Sequence, residues 1–232
     1  MIVVGCSFGT LWVRRKCFID FAWNYIADLM AYSVDDGSML VKAARNTIEL
    51  YLKSPKFSRY MIEKYLKGFE SSSGVFVTLE HHPTMTLRGC IGFPNPVGPL
   101  KKLLIEAAIG AAFEDPRFAP LSEQELGETV VEVSVLTKPE LIDQSSASGR
   151  MKEIKVGRDG LMIKYGYKTG LLLPIVAVQE LWNKEEFLKN LCLKAGLAED
   201  AWKRPEIDLY KFSTQVFKEK EPAGAVEEVH LD

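Results

Sequence analysis

The residues best equipped for chemistry lie close together in Thr86-Leu87-Arg88-Gly89-Cys90-Ile91-Gly92-Phe93. Cys90 is a nucleophile once deprotonated, and a neighbouring cation favours its thiolate. In an extended strand, residues two apart share a face and sit roughly 7 Å from one another. Arg88, Cys90 and Gly92 then share one face; Leu87, Gly89 and Ile91 share the other. The bare positions Gly89 and Gly92 let another backbone or a ligand approach closely. Two readings stand beside each other for every candidate. Cys90 is a nucleophile or transient covalent carrier, or it is a small buried hydrophobe. Arg88 grips an anionic group through its planar fork, or it pairs with Glu132 or Glu80. Arg117, in Asp115-Pro116-Arg117-Phe118, is a second such cation, with Asp115 bracing the turn. Glu132 is an acid inside an otherwise apolar strand, so it is paired, solvated or catalytic. The site expected on this reading has Cys90 and Glu132 as catalytic candidates. Arg88, Arg117, Gly89 and Gly92 are its substrate-binding residues.

Other chemistries fit less well. The chain has three histidines, His81, His82 and His230. With Glu80 opposite Thr86 or Leu87, Cys90 faces Phe76 or Val77, and His82 lies about six residues along the ladder, near 20 Å away. A nucleophile and its base need hydrogen-bond contact, so a Cys–His dyad is disfavoured. The four cysteines, Cys6, Cys17, Cys90 and Cys192, form no Cys-x-x-Cys pair and have no zinc-like spacing to histidine. No Gly-x-Gly-x-x-Gly or Walker lysine is present. No metal and no cofactor is expected.

The elements that must position these residues follow from pattern. Gly74-Val75-Phe76-Val77-Thr78-Leu79-Glu80 is an apolar, β-branched run, and His81 to Met85 breaks it before the Arg88–Cys90 strand, which makes a hairpin. Before it, Ser33 or Asp35 caps a helix carrying Leu40, Val41, Ala44, Ile48 and Leu52 at helical spacing, up to Ser54-Pro55. A shorter amphipathic segment covers Phe57 to Leu66. After the hairpin, three prolines exclude regular structure before an alanine-rich helix over Leu100 to Glu114. Ser122 and Glu125 form a capping box. Thr129 to Thr137 is a strand, Pro139 to Arg150 a loop, and Ile154 to Val156 a brief strand. A second hairpin spans Leu161 to Leu173, a helix covers Val176 to Ala195 with Gly196 as its cap, and Ile207 to Val216 is the last strand.

The chain has 232 residues, net charge −2 and 47% hydrophobic residues, which suits an ordinary globular protein and argues against a nucleic-acid-coating one. No apolar run reaches the roughly 18–20 residues of a membrane span. Residues 1–32 read as an N-terminal extension. Their Arg14-Arg15-Lys16 follows the apolar stretch, whereas a signal peptide carries its charge first. Residues 33–218 read as the functional domain and 219–232, with Pro222 and Gly224, as a mobile tail. Dispersed cysteines suit a reduced, cytoplasmic protein.

Several ordered blocks resemble the AMMECR-type domain family, named for a chromosomal region linked to Alport syndrome, midface hypoplasia and elliptocytosis. They are Leu87-Arg88-Gly89-Cys90-Ile91-Gly92, the most specific; Ala111 to Phe118; Glu132 to Thr137; Gly157 to Leu161; Leu171-Leu172-Leu173-Pro174; and Cys192 to Leu197. Together they run from about Leu40 to Phe217. The resemblance implies an α+β fold with a curved, barrel-like antiparallel sheet flanked by helices, and two unequal lobes around a cleft. It also implies work alongside Memo-like and radical-SAM proteins, on RNA or another nucleotide-like substrate. It settles no catalytic residue. Ile175 stands where a glutamine or glutamate is expected, so a polar role at that position is not carried over. Three functional classes remain open: an enzyme acting on an anionic substrate through Cys90 and the arginines, a binding or adaptor module without chemistry of its own, and an RNA-binding accessory using local Lys and Arg side chains.

Overall fold

The computed structural model describes residues 32–95, 97–143 and 146–230. Apart from Tyr32, the N-terminal extension lies outside the described residues, as do Cys6 and Cys17.

Helix α1 (Val34–Lys53) carries Asp35 and Asp36 in its first turn and Lys53 in its last, which complements the helix dipole. Its buried stripe is Leu40, Val41, Ala44 and Ile48. A single turn, α2 (Tyr60–Glu63), is what remains of the expected second segment. The hairpin is β1 (Gly74–His81) and β2 (Thr86–Phe93). Helix α3 (Leu100–Ile109) follows Pro99 and winds on as a π-helical turn, Gly110–Glu114, in place of the uniform helix expected there. Asp115 turns extended because Pro116 disfavours the helical region for the residue before it. Helix α4 (Glu123–Leu126) starts on the expected Ser122–Glu125 capping box.

Strand β3 (Thr129–Leu136) comes next, then β4 (Glu140–Leu141) and α5 (Ala147–Glu153). The last two replace the expected loop, with Ser146 accepting a bond from the Gly149 amide as N-cap. Ile154 to Val156 is not a strand. β5 (Gly160–Tyr165) and β6 (Lys168–Leu172) form the second hairpin. The helix expected over Val176 to Ala195 is two helices, α6 (Pro174–Gln179) and α7 (Lys184–Lys194). Leu181 at φ 56° breaks the run, and Asn183 with Glu186 makes a capping box for α7. The expected last strand is also two, β7 (Asp208–Phe212) and β8 (Thr214–Glu219). The chain changes sheet at Ser213, whose amide donates to Thr137 Oγ1 at 2.9 Å. Finally β9 (Val226–Val229) pairs with β8, so the stretch read as a mobile tail supplies an edge strand.

The fold is α+β, and every strand pairing among the described residues is antiparallel. The barrel-like sheet is corrected: the described residues form two open sheets, one ordered β2-β1-β3-β8-β9 and one ordered β4-β7-β5-β6. β2 and β9 are the two ends of the larger sheet and do not bond to each other. Alternation gives that sheet two unlike faces. Val75, Val77, Leu79, Val131, Val133 and Phe217 are buried on the side where α1 crosses β3 and β8 and α3 crosses β1 and β2. Each such side chain contributes roughly 1.5–3 kcal/mol of burial. The opposite face carries Phe76, Thr78 and Glu80 from β1, and Glu132, Ser134 and Leu136 from β3. At one end of it, Phe76 and Leu136 pack with Met162, Phe212, Leu171 and Tyr210 of the smaller sheet. The second core lies beyond, where Leu161 and Ile163 meet Phe187, Leu188, Leu191 and Trp202.

Candidate functional site

A β-bulge sets the geometry. Leu79 pairs with Gly89, but Glu80 pairs with Leu87, so Arg88 is the extra residue. Simple alternation placed Arg88 beside Cys90; the bulge ends that. Arg88 is buried, and its Nε donates to Glu125 Oε1 at 3.0 Å and its Nη2 to the Ala119 carbonyl at 2.8 Å. This hydrogen bond holds the Glu125 carboxyl down at about 2. The partner is neither Glu132 nor Glu80, the two pairings read from the sequence. Arg88 Nη1 has no hydrogen-bond partner among the described residues. The same slip moves Cys90 opposite Thr78, not Phe76 or Val77.

Cys90 is partly buried and receives a hydrogen bond from Thr78 Oγ1 at 3.4 Å. Its backbone amide donates to Asp115 Oδ2 at 2.9 Å. Asp115 also accepts from Arg117, through Nε at 2.9 Å and Nη2 at 2.7 Å. One buried carboxylate therefore ties the Cys90 backbone to the Arg117 guanidinium, and these bonds, Arg117's first, hold it well below the usual carboxylate range. Arg117 is half exposed, and its Nη2 reaches the Cys90 carbonyl at 3.5 Å. The Arg88 and Arg117 guanidiniums both lie against the Phe118 ring, at 5.6 and 5.4 Å from its centroid. Burial pushes the Cys90 thiol up; Thr78 and Arg117 act the other way, and Glu132 and Asp115 add to the rise.

Glu132 pairs across the sheet with Thr78, which pairs with Cys90, so Cys90, Thr78 and Glu132 form one row over β2, β1 and β3. Lys218 on β8 continues the row. Its ammonium binds Glu80 and lies 3.8 Å from Glu132 Oε2. Two carboxylates share one cation. Burial raises the Glu132 carboxyl to about 7; Lys218 opposes the shift and Glu80 reinforces it. Lys194, the last residue of α7, contributes from the smaller sheet's layer. Burial of its stem holds its ammonium below the ordinary lysine value, with the Cys90 thiol raising it and Arg117 lowering it further.

The structure thus brings Cys90, Glu132 and Arg117 into one neighbourhood and ties Arg88, across the Phe118 ring from Arg117, to Glu125 instead. The glycines are filled by the protein itself. A Cβ on Gly89 would stand 2.1 Å from the Ala111 carbonyl oxygen, and one on Gly92 would stand 2.3 Å from the Val75 carbonyl oxygen. The approach anticipated at these positions is made by backbone. His81 and His82 sit at the hairpin turn, where the His82 amide donates to the Glu128 carbonyl. Sequence reasoning missed Thr78, Lys218 and Lys194. Thr78 and Glu80 were legible as the polar alternates of β1. Lys218 fell beyond the strand boundary drawn at Val216, and Lys194 ends a helix packed on the smaller sheet.

The AMMECR1 family model matches residues 41–217. The chain is 47% identical over 199 residues to Protein MJ0810 of Methanocaldococcus jannaschii, covering 86% of this chain and 98% of the relative. It is 48% identical over 200 residues to Protein PF1979 of Pyrococcus furiosus, covering 84% and 94%. A crystal structure of an uncharacterized protein, PH0010 from Pyrococcus horikoshii, superposes with a TM-score of 0.79 at 45% identity, over 85% of this chain and 98% of that one. Family match, close relatives and fold agree: the chain belongs to the AMMECR1 family.

Proposed function

We propose that the chain is an enzyme that uses the Cys90 thiol on an anionic substrate. The observation that carries this reading is the row Cys90–Thr78–Glu132, bracketed by Arg117 and Lys218. Burial keeps the thiol protonated in the free protein. Deprotonation therefore takes place at the moment of attack on an electrophile, with Glu132 as the base. A carboxyl titrating near 7 is half ionised at neutral pH, where a general base works best. Glu132 stands two strands from Cys90, roughly 10 Å at the backbone, so the proton crosses by the Thr78 hydroxyl or a water between them. Asp115 is a positioning residue: it fixes the Cys90 amide and aims Arg117. The cleft expected between unequal lobes is, on this reading, the space above the row.

The test is alkylation of Cys90 by iodoacetamide as a function of pH, followed on its own peptide by mass spectrometry. The rate rises with an inflection near pH 7 in the native chain, and Glu132→Gln removes it. A Cys90 that stays unlabelled, or a profile unchanged by Glu132→Gln, sinks the proposal. One observation favours a binding or adaptor module instead: the raised thiol sits between two glycines already filled by packing. Full biological activity in a Cys90→Ser chain would decide for that second reading.

A further inference from the structure

The device that presents Arg117 occurs a second time, just before β5. Arg158 donates through Nε to Asp159 Oδ1 and through Nη2 to Asp159 Oδ2, both at 2.7 Å. Asp159 is buried, and its Oδ2 also accepts the Lys155 amide at 2.8 Å. Arg158 itself is half exposed. A guanidinium has two edges that take an oxyanion. Asp159 fills the Nε–Nη2 edge, and Nη1, on the other edge, has no partner among the described residues.

This arginine lines an open hollow of about 510 Å³, within the size range of small-molecule sites. Its apolar walls include Val156, Val178, Leu181 and Trp182. Val156 and Trp182 pack on the second core, so they are held in place without a ligand. Among the described residues, Lys155 and Arg158 are the charged side chains of the lining and no acid joins them, which suits an anion and not a cation.

The backbone gives an independent sign. The Trp182 amide donates to the Ala177 carbonyl at 2.9 Å and the Leu181 amide to the Val178 carbonyl at 3.1 Å, which closes α6 with Leu181 at φ 56°. Helix ends usually give this left-handed position to glycine. Glycine would make the same cap without strain. A leucine there adds only its side chain, and Leu181 is 90% exposed on the wall of the hollow. Backbone strain of this kind gathers at ligand clamps.

We propose that the hollow is a second binding site, for a small molecule with a flat aromatic body and one carboxylate. The body lies against Trp182 and Leu181, and the carboxylate takes the free edge of Arg158 in a bidentate pair. Asp159, on the other edge, disfavours a phosphate dianion by its own charge. The site shares no residue with the Cys90 row and stands whether or not the thiol reacts.

The test follows the indole N–H resonance of Trp182 in the full chain, assigned by its loss in Trp182→Phe. Naphthylacetate is expected to shift it saturably. Naphthylacetamide, which differs only in the carboxylate, is expected to bind at least about tenfold more weakly. Naphthylmethyl phosphate is expected to bind more weakly than the carboxylate, and tighter binding overturns the carboxylate assignment. Arg158→Lys keeps a cation beside Asp159 but has no planar edge, so it brings naphthylacetate down to the amide's affinity; a preference that survives overturns the bidentate seat. Leu181→Gly separates a clamp from a plain helix cap. It is expected to weaken naphthylacetate several-fold while raising Tm by about 2–4 °C, because the strain leaves with the side chain. Unchanged binding in Leu181→Gly overturns the clamp. No saturable shift in the native chain, or equal affinity for acid and amide, overturns the site.

Discussion

Lys218 and Glu219 are neighbours on β8 and point to opposite faces of the larger sheet, where charge is handled in two ways. On the helix side, Glu219 takes Arg45 of α1 in a two-pronged pair, Nε to Oε1 at 2.6 Å and Nη2 to Oε2 at 2.5 Å. Glu219 Oε2 also accepts the Val131 amide, and Arg45 donates to the Thr129 and Leu126 carbonyls. Each charge there has its own partner, and the network pins α1 to the sheet. On the other side, Lys218 is divided between Glu80 and Glu132, and Glu132 is left titrating near 7. A buried charge that is matched and fully hydrogen-bonded holds structure; one that is under-matched stays responsive to protons and to whatever binds.

The sharpest way to break this comparison is Glu219→Ala. It strands Arg45 as an unpaired buried cation, and the expected loss is about 3–5 kcal/mol by urea unfolding. A loss under about 1 kcal/mol would mean that the helix-side network holds nothing. Glu132→Gln is expected to act in the opposite sense. The folded state raises this acid to about 7, so between about pH 4.5 and 7 the native chain binds more protons than the unfolded one, and stability falls as pH rises. Removing the carboxyl should flatten that slope and leave the variant more stable above pH 7, by on the order of 3 kcal/mol. An unchanged slope would remove Glu132 as a poised base. The smallest effect is expected for Lys220→Ala, whose pair with Glu227 is half exposed at both ends. There the change should stay within about 0.5 kcal/mol, which calibrates the other two against an ordinary surface pair.

Much of the fold was legible because it is written in short-range pattern. The stripe Leu40, Val41, Ala44 and Ile48, the alternation of Val131, Val133 and Val135, and the Ser122–Glu125 box each specify an element within a few residues. Errors fell where a single residue resets the chain. Ser213 diverts one apparent strand into two sheets, and Leu181 with Asn183 divides one apparent helix into two. Cys90, Arg117 and Glu132 were singled out by residue type and context, and the fold places them near one another. Arg88 was placed beside Cys90 by counting twos along the strand, and a bulge is the device that makes such counting fail.

By itself the sequence determined the first helix, the hairpins and the strand Thr129–Leu136, the α+β class, the family signature and the presence of a thiol, cations and an acid. Each of these is a matter of neighbours along the chain: periodicity, capping, and the chemistry of named side chains. Only the tertiary structure decided which cation serves Cys90. The bulge sends Arg88 to Glu125, Asp115 clamps Arg117 to the Cys90 backbone, and Lys218 comes from 86 positions along the chain to divide its charge near Glu132. The physical reason is that electrostatic partnership depends on distance and burial in space, and both are set by packing between segments remote in sequence.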